Sequence, residues 1–313
     1  MRNRKLYILL LICLTFASRG KAQQDVLISQ YMFNQLFLNP AYAGTHEYWE
    51  SSILYRSQWV GWEGSPTSQL LAVDGPILPS LLGIGATIVH DEIGINATLG
   101  ANIAVSYQLK LDRKGDHRLS FGLKAGYLSQ RAYIKDLIYI DENDPLYVSS
   151  DIINQNTILF GSGIYYYSKR LYLGLSVPVL FAKDLKDLPS AEMNRNSYLK
   201  KQFYFNGGMV FTLSENVDFK PSFLVKYTQS APLQADINMN FLFKKMFWLG
   251  ASYRSTDILV LMMEVNATRY LRIGYAYDYN FSDISIFTSG SHEIMLSFDF
   301  GKTIVKSSSP RYF

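Results

Sequence analysis

The sequence holds one cysteine in 313 residues, Cys13. Because it lies in an apolar stretch near the start, the remaining chain can form no disulfide, thiolate metal site or cysteine nucleophile. Beyond the first two dozen positions there is also no apolar run of about 18 residues, which excludes a membrane-crossing helix there. Histidine is sparse: His46, His90, His117 and His292 are scattered, with no i, i+4 pair. His292-Glu293 resembles the opening of a zinc-protease motif, but position 296 is Leu and the segment reads as strand, where that motif needs a helix. There is no nucleophile elbow, phosphate-binding glycine loop or dinucleotide fingerprint. Asp141-Glu142-Asn143-Asp144 gathers oxygens without the glycine and distal glutamate of a calcium loop, and reads as a solvated loop. No catalytic, cofactor or metal residues are expected, and the chain is not expected to be an enzyme.

A basic excess is missing too, despite the formal charge of +4. Five of the 30 basic residues (Arg2, Arg4, Lys5, Arg19 and Lys21) precede residue 22, and none of the 26 acids does. The rest of the chain therefore carries 25 − 26 = −1. No field remains to steer nucleic acid, which is not expected as a partner. The basic start, the apolar run Leu6 to Phe16 and the small-residue exit Gly20-Lys21-Ala22 form a secretory signal, with residues 1–22 removed after Ala22. The apolar run is too short to span roughly 30 Å of hydrocarbon.

What the chain does have is aromatic residues and alternation. Tyr (23) and Phe (19) are abundant, and the mean hydropathy is +0.01. Trp49, Ile53, Tyr55 and Trp59 fall on one face of a first strand, with Glu50, Ser52, Arg56 and Gln58 on the other. Ile95 to Leu111 repeats the pattern over a length that suits a tilted barrel strand. In all, 14 strands can be read between residues 49 and 300, an even number as bacterial barrels require. The two longest connections, Arg131 to Asn156 and Ala182 to Lys200, both join odd to even strands, whereas turns such as Ser168-Lys169-Arg170 are short. That parity places the long loops outside the cell and both strand termini at the periplasmic side. The expected fold is all-β: a transmembrane outer-membrane β-barrel of about 14 antiparallel strands, with lipid against its outer face.

Arg56 and Gln58 are expected in the lumen on strand 1, beside other inward charges such as Lys110, Arg118, Lys124, Asp218, Lys220, Asp236 and Arg272. These could line a conducting pore; the plainer reading is that they pair with one another. Ahead of the barrel, residues 23–48 are amide- and aromatic-rich without a sustained period. Pro40 ends any regular element there. This stretch reads as a periplasmic or plug-like segment. Its candidate plug and assembly residues are Gln30, Tyr31, Phe33, Asn34, Asn39, Pro40, Ala41, Tyr42 and Gly44, with Asn34 and Asn39 suited to hydrogen-bond inward-facing polar groups. Residues 301–313 read as a periplasmic tail.

SQYMFNQLFLNPAYAG at Ser29–Gly44, YRSQWVGWEGSP at Tyr55–Pro66, HDEIG at His90–Gly94, GLSVP at Gly174–Pro178, YAYDY and SGSHE occur in that order. Together they resemble the PorP/SprF family of outer-membrane proteins from Bacteroidota, associated with type IX secretion. Gln35 stands where that family often has proline. The resemblance implies an outer-membrane barrel, exported by its signal peptide, that serves the secretion or gliding machinery or partners one large secreted adhesin-like client. A client or machinery component would then contact the outer loops, for which Asp141, Asp144, Asp184 and Asp187 are candidates. The competing expectation is a channel for small or hydrophobic solutes with an N-terminal hatch, on the short motif Asn39-Pro40-Ala41.

Overall fold

A computed structural model of the chain describes residues 27–46, 48–133, 152–185, 201–229 and 231–301. The expected signal peptide 1–22, the acids Asp141, Asp144 and Asp187, and residues 302–313 of the expected tail lie outside these residues. Within them, 14 antiparallel strands close into a barrel. They are β1 (Trp49–Ser57), β2 (Thr67–Leu78), β3 (Leu82–Ile93), β4 (Asn96–Lys110), β5 (His117–Tyr133), β6 (Ile152–Ser168) and β7 (Leu171–Asp184). Next comes β8 (Gln202–Met209), which resumes after Val210 as Phe211–Ser214. The rest are β9 (Val217–Thr228), β10 (Gln234–Phe243), β11 (Phe247–Arg254), β12 (Ile258–Asn266), β13 (Leu271–Asn280) and β14 (Ser291–Phe300). Neighbours in sequence pair all the way round, and β14 pairs with β1 from Trp49↔Phe300 to Ser57↔His292. Closure leaves no strand edge unpaired, as a wall facing hydrocarbon requires.

Odd-to-even connections such as 58–66, 94–95 and 281–290 gather at one end, here the loop end. Short turns such as 79–81, 169–170 and 244–246 gather at the other, the turn end. The period-2 pattern sorts the faces. Ile53, Tyr55, Ile103, Leu123, Leu175, Leu249, Leu261 and Ile294 are exposed on the outside, while Ser52, Leu54, Arg56, Ser106, Asn238, Ala276 and Glu293 are buried within. Phenylalanines cluster on the outer wall toward the turn end, with Phe219 and Phe241 stacked at 4.8 Å and Phe298 at 5.6 Å from Phe300. Such a girdle belongs at a membrane interface.

The boundaries of four strands differ most from the sequence reading. β5, β6 and β7 run well past the predicted ends, so Asp184 is the last residue of β7 and accepts a 2.6 Å hydrogen bond from Thr157 Oγ1. Ser129-Gln130-Arg131 of β5 and Asn154-Gln155-Asn156 of β6 are polar on both faces, so the alternation that marks the lipid zone fades there before the ladder does. β1, in contrast, ends at Ser57. Gln58 lies past it, half-buried, with its N–H bonded to the Pro66 carbonyl at 2.9 Å. Trp59 adopts φ 52° in that connection and is not on the strand's outer face.

Candidate functional site: the segment inside the barrel

The barrel's interior is filled by its own N-terminal segment. Residues 27–46 form three single 3-10 turns, Tyr31–Phe33, Gln35–Phe37 and Pro40–Tyr42, and nearly every side chain among them is buried. Asn39 shapes the last turn: its Oδ1 accepts the Ala41 N–H at 2.9 Å, and Pro40 follows at the first position, where no donor is needed.

The segment starts near the loop end. Glu293 of β14 accepts the N–H groups of Ser29 and Gln30, one on each carboxylate oxygen, both at 2.8 Å. The Ser29 hydroxyl lies 2.8 Å from both carboxylate oxygens of Asp278 on β13. Arg56 of β1 ties this corner together, with Nη1 on Ser29 Oγ at 2.9 Å and on Glu293 at 3.2 Å, and Nη2 on Asp278 at 2.6 Å. Arg254 continues the layer through Asp236 at 2.9 Å. Buried charges of opposite sign are thus matched; a lone buried charge would cost several kcal/mol.

From there the chain descends through the barrel, bonded to successive strands. Asn238 on β10 donates to the Tyr31 hydroxyl. Lys220 on β9 reaches the Met32 carbonyl at 3.4 Å, and its ammonium sits 5.5 Å from the Phe33 ring centroid and 5.8 Å from that of Trp248. Asn34 donates to Ser52 on β1 at 2.6 Å, and Asn206 on β8 to the Gln35 side chain at 3.0 Å. Ser176 on β7 donates to the Leu38 carbonyl at 2.7 Å, and Asn39 to the Ile164 carbonyl on β6 at 3.0 Å. At the turn end, Ser106 and Gln108 of β4 donate to the carbonyls of Ala43 and Gly44 at 2.6 and 2.7 Å, and the Gly44 N–H donates to Asp74 of β2 at 2.8 Å. The irregular backbone, which lacks a sheet partner, therefore finds its partners in barrel side chains.

Apolar packing fills the gaps. Tyr31, Met32, Phe33 and Leu38 bury against Leu54, Leu70, Trp248, Val260 and Met295. Ala41 and Tyr42 pack with Ala104, Tyr165 and Tyr172, and the Tyr42 and Tyr165 rings meet edge-on at 5.5 Å. Two glycines make the close approach possible. A Cβ on Gly122 would strike the Pro40–Ala41 backbone, and one on Gly163 the Asn39 side chain. A second ionic cluster lies at the turn end, where Arg272 bonds Glu50 and stands 3.8 Å from Glu264 and 4.0 Å from Asp299, with His46 3.5 Å from Glu50.

The sequence-predicted residues Gln30, Tyr31, Phe33, Asn34, Asn39, Pro40, Ala41, Tyr42 and Gly44 thus lie together in the lumen, with Arg56 against Ser29 at its loop end. Gln58 and Asp184 belong to other places. The partners Asp278, Glu293, Arg254 and Asn206 were not legible as such: they sit on strands far along the chain, and only inward parity marks them. Alternation also puts His292 and Glu293 on opposite faces of β14, His292 outward against Tyr275 at 2.7 Å and Glu293 inward.

Comparison with solved structures finds other bacterial barrels at low identity. A FadL homologue of Pseudomonas aeruginosa has 9% identity and a TM-score of 0.46, with 90% of this chain and 96% of that one covered. Omp33 of Acinetobacter baumannii has 7% identity and a TM-score of 0.44, with 81% and 99% covered. A KdgM porin has 8% identity and a TM-score of 0.38, with 80% and 99% covered. No curated protein matches the sequence. The family of type IX secretion system membrane proteins PorP/SprF, however, matches residues 20–298. The chain is a member of the PorP/SprF family of type IX secretion system membrane proteins, built as a 14-stranded barrel.

Proposed function

We propose that this protein is a closed, non-enzymatic outer-membrane partner of type IX export, which supports secretion or surface attachment of a large adhesin-like client by docking rather than by conducting solute. One observation carries the reading: residues 28–44 occupy the lumen and bond to strands around the whole circumference. A passage for a polypeptide or a solute would require removing this segment and breaking the charged contacts of Ser29 and Gln30 with Glu293. The loop end faces outward in this reading. Acidic positions of the outer connections, Asp141, Asp144 and Asp187 together with Asp184 at the strand end, are then contacts for the client or the secretion machinery, and membrane lipid surrounds the wall.

The test is a deletion strain complemented with a locked barrel. Asn34→Cys with Ser52→Cys joins the segment to β1 in a chain whose mature part has no other cysteine, and the oxidising periplasm favours the bond. A docking partner retains the secreted client at the cell surface when locked. If locking abolishes retention and reduction restores it, transport through the lumen is the function and the docking reading fails. The solute-channel alternative is read from the same protein in liposomes, where a closed barrel shows no solute-specific flux.

A further inference from the structure

A second surface, separate from the long outer loops, lies over the seam where the barrel closes. Four connections at the loop end are joined there by backbone hydrogen bonds. Residues 58–66 and 281–290 exchange two, Val60 N–H to Gly290 O at 2.9 Å and Ser289 N–H to Val60 O at 2.8 Å. Gly94 N–H to Gly64 O at 2.9 Å brings in the β3–β4 turn, and Phe281 N–H to Asp257 O at 2.9 Å brings in the β11–β12 turn. The result is one continuous rim, held by main chain.

That rim presents large apolar side chains. Ile286 is 79% exposed, Phe287 68%, Phe281 58% and Trp62 48%, and the Trp62 and Phe287 rings meet edge-on at 6.1 Å. Lipid does not explain them. On the outer wall beneath, the apolar ladder of β14 gives way to His292, which pairs in register with Tyr277 and Ser57 and bonds the Tyr275 hydroxyl. Tyrosines mark the headgroup level; Tyr275, Tyr277 and Tyr279 carry it to the end of β13, and the apolar residues of the rim come after that strand has passed it. Apolar side chains clustered in water mark a protein contact. Charge specifies the partner further. Glu63, Glu92 at the end of β3, Asp257 and Asp283 are exposed around the cluster, and the stretches 58–66, 91–95, 255–257 and 281–290 contain no Lys or Arg.

We infer that the seam rim is a docking surface for a cell-surface protein whose contact carries an apolar anchor flanked by Lys or Arg. The inference rests on the outward loop end of the proposed function, but it names a different face from the outer-loop acids. Such an arrangement gives an apolar centre with an acidic surround that steers and selects a basic partner.

The experiment places a photo-crosslinking phenylalanine analogue at Phe287, and separately at Ile286, of the full-length protein in its own cells. Leu261 on the lipid-facing wall serves as control, and unboiled gel migration verifies that each variant is folded. The expected result is one protein product from 286 and 287 and none from 261. Its crosslinked peptide should contain an apolar residue beside Lys or Arg, and its yield should fall at least tenfold in Glu63→Lys/Asp283→Lys. Crosslinks to lipid alone, to a peptide without basic residues, or with yield unchanged by charge reversal overturn the inference. Client retention is measured in the same strains. Loss of the crosslink with retention intact separates this surface from the export role, whereas a normal crosslink together with client retention that persists in the deletion strain counts against the export role alone.

Discussion

Ser29 and Glu293, 264 positions apart in the chain, are joined by a 2.8 Å hydrogen bond from the backbone N–H of one to the carboxylate of the other. The bond fastens the first turn of the segment to the last strand of the barrel, so the segment holds the closing strand. Charge-assisted bonds of this kind contribute about 1.5–3 kcal/mol each.

Glu293→Gln should loosen this corner without collapsing the barrel. The amide keeps the shape but can accept on one side only, and it leaves Arg56 with a single carboxylate, Asp278, as its ion-pair partner. The expected outcome is a barrel that still migrates fast before boiling, with intermittent conductance steps in a planar bilayer and earlier proteolysis near residue 30. Unchanged conductance and proteolysis would show that the corner does not hold the segment.

Gly122→Val tests the packing of the segment against the wall. The added side chain strikes Pro40 and Ala41 inside while the outer face is untouched. Overpacking of this kind costs roughly 1–3 kcal/mol. The variant should lose its unboiled gel shift at a lower temperature than the parent, and Gly122→Ala should fall between the two. A melting series that shows no difference contradicts the close approach.

Arg272→Ala removes the cation at the turn end and leaves Glu50, Glu264 and Asp299 facing one another in a buried site. Breaking a buried pair by removing one partner costs about 3–5 kcal/mol. The variant should assemble poorly. Adding Glu50→Gln should recover part of the loss, as a coupled pair requires. Additive effects in the double variant would show that the two groups do not interact.

The direction of the segment has its own consequence. It runs from the loop end at Ser29 to the turn end at Gly44, so residue 27 lies near the loop-end mouth, which the proposed function turns outward, although β1 starts at the opposite end. Leu27→Cys, introduced together with Cys13→Ser so that it is the only cysteine, should react with a membrane-impermeant maleimide on intact cells. Labelling only after the outer membrane is permeabilised would reverse this orientation.

Much of this architecture was legible in the sequence, because a barrel wall is a local pattern. Each strand shows lipid to one side and the lumen to the other, so Ile53 and Arg56 were sorted by period alone. Strand ends were harder. Above the lipid zone, stretches such as Ser129 to Arg131 stay in the ladder without an apolar face, and β5 to β7 therefore read short. At Trp59 an aromatic that fits the alternation sits in a left-handed turn, which the period cannot reveal. The segment was visible as an irregular, amide-rich stretch, but its depth was not. Its place is fixed by single contacts to Glu293, Asn206, Ser176 and Gln108, and no local pattern in the sequence links those positions.

Conductance of the purified protein in a planar bilayer, with and without residues 28–44, decides whether the segment closes the barrel. A closed lumen gives a silent intact protein and a steady open channel in the deletion variant. Steady conductance in the intact protein, equal to that of the deletion variant, would contradict it.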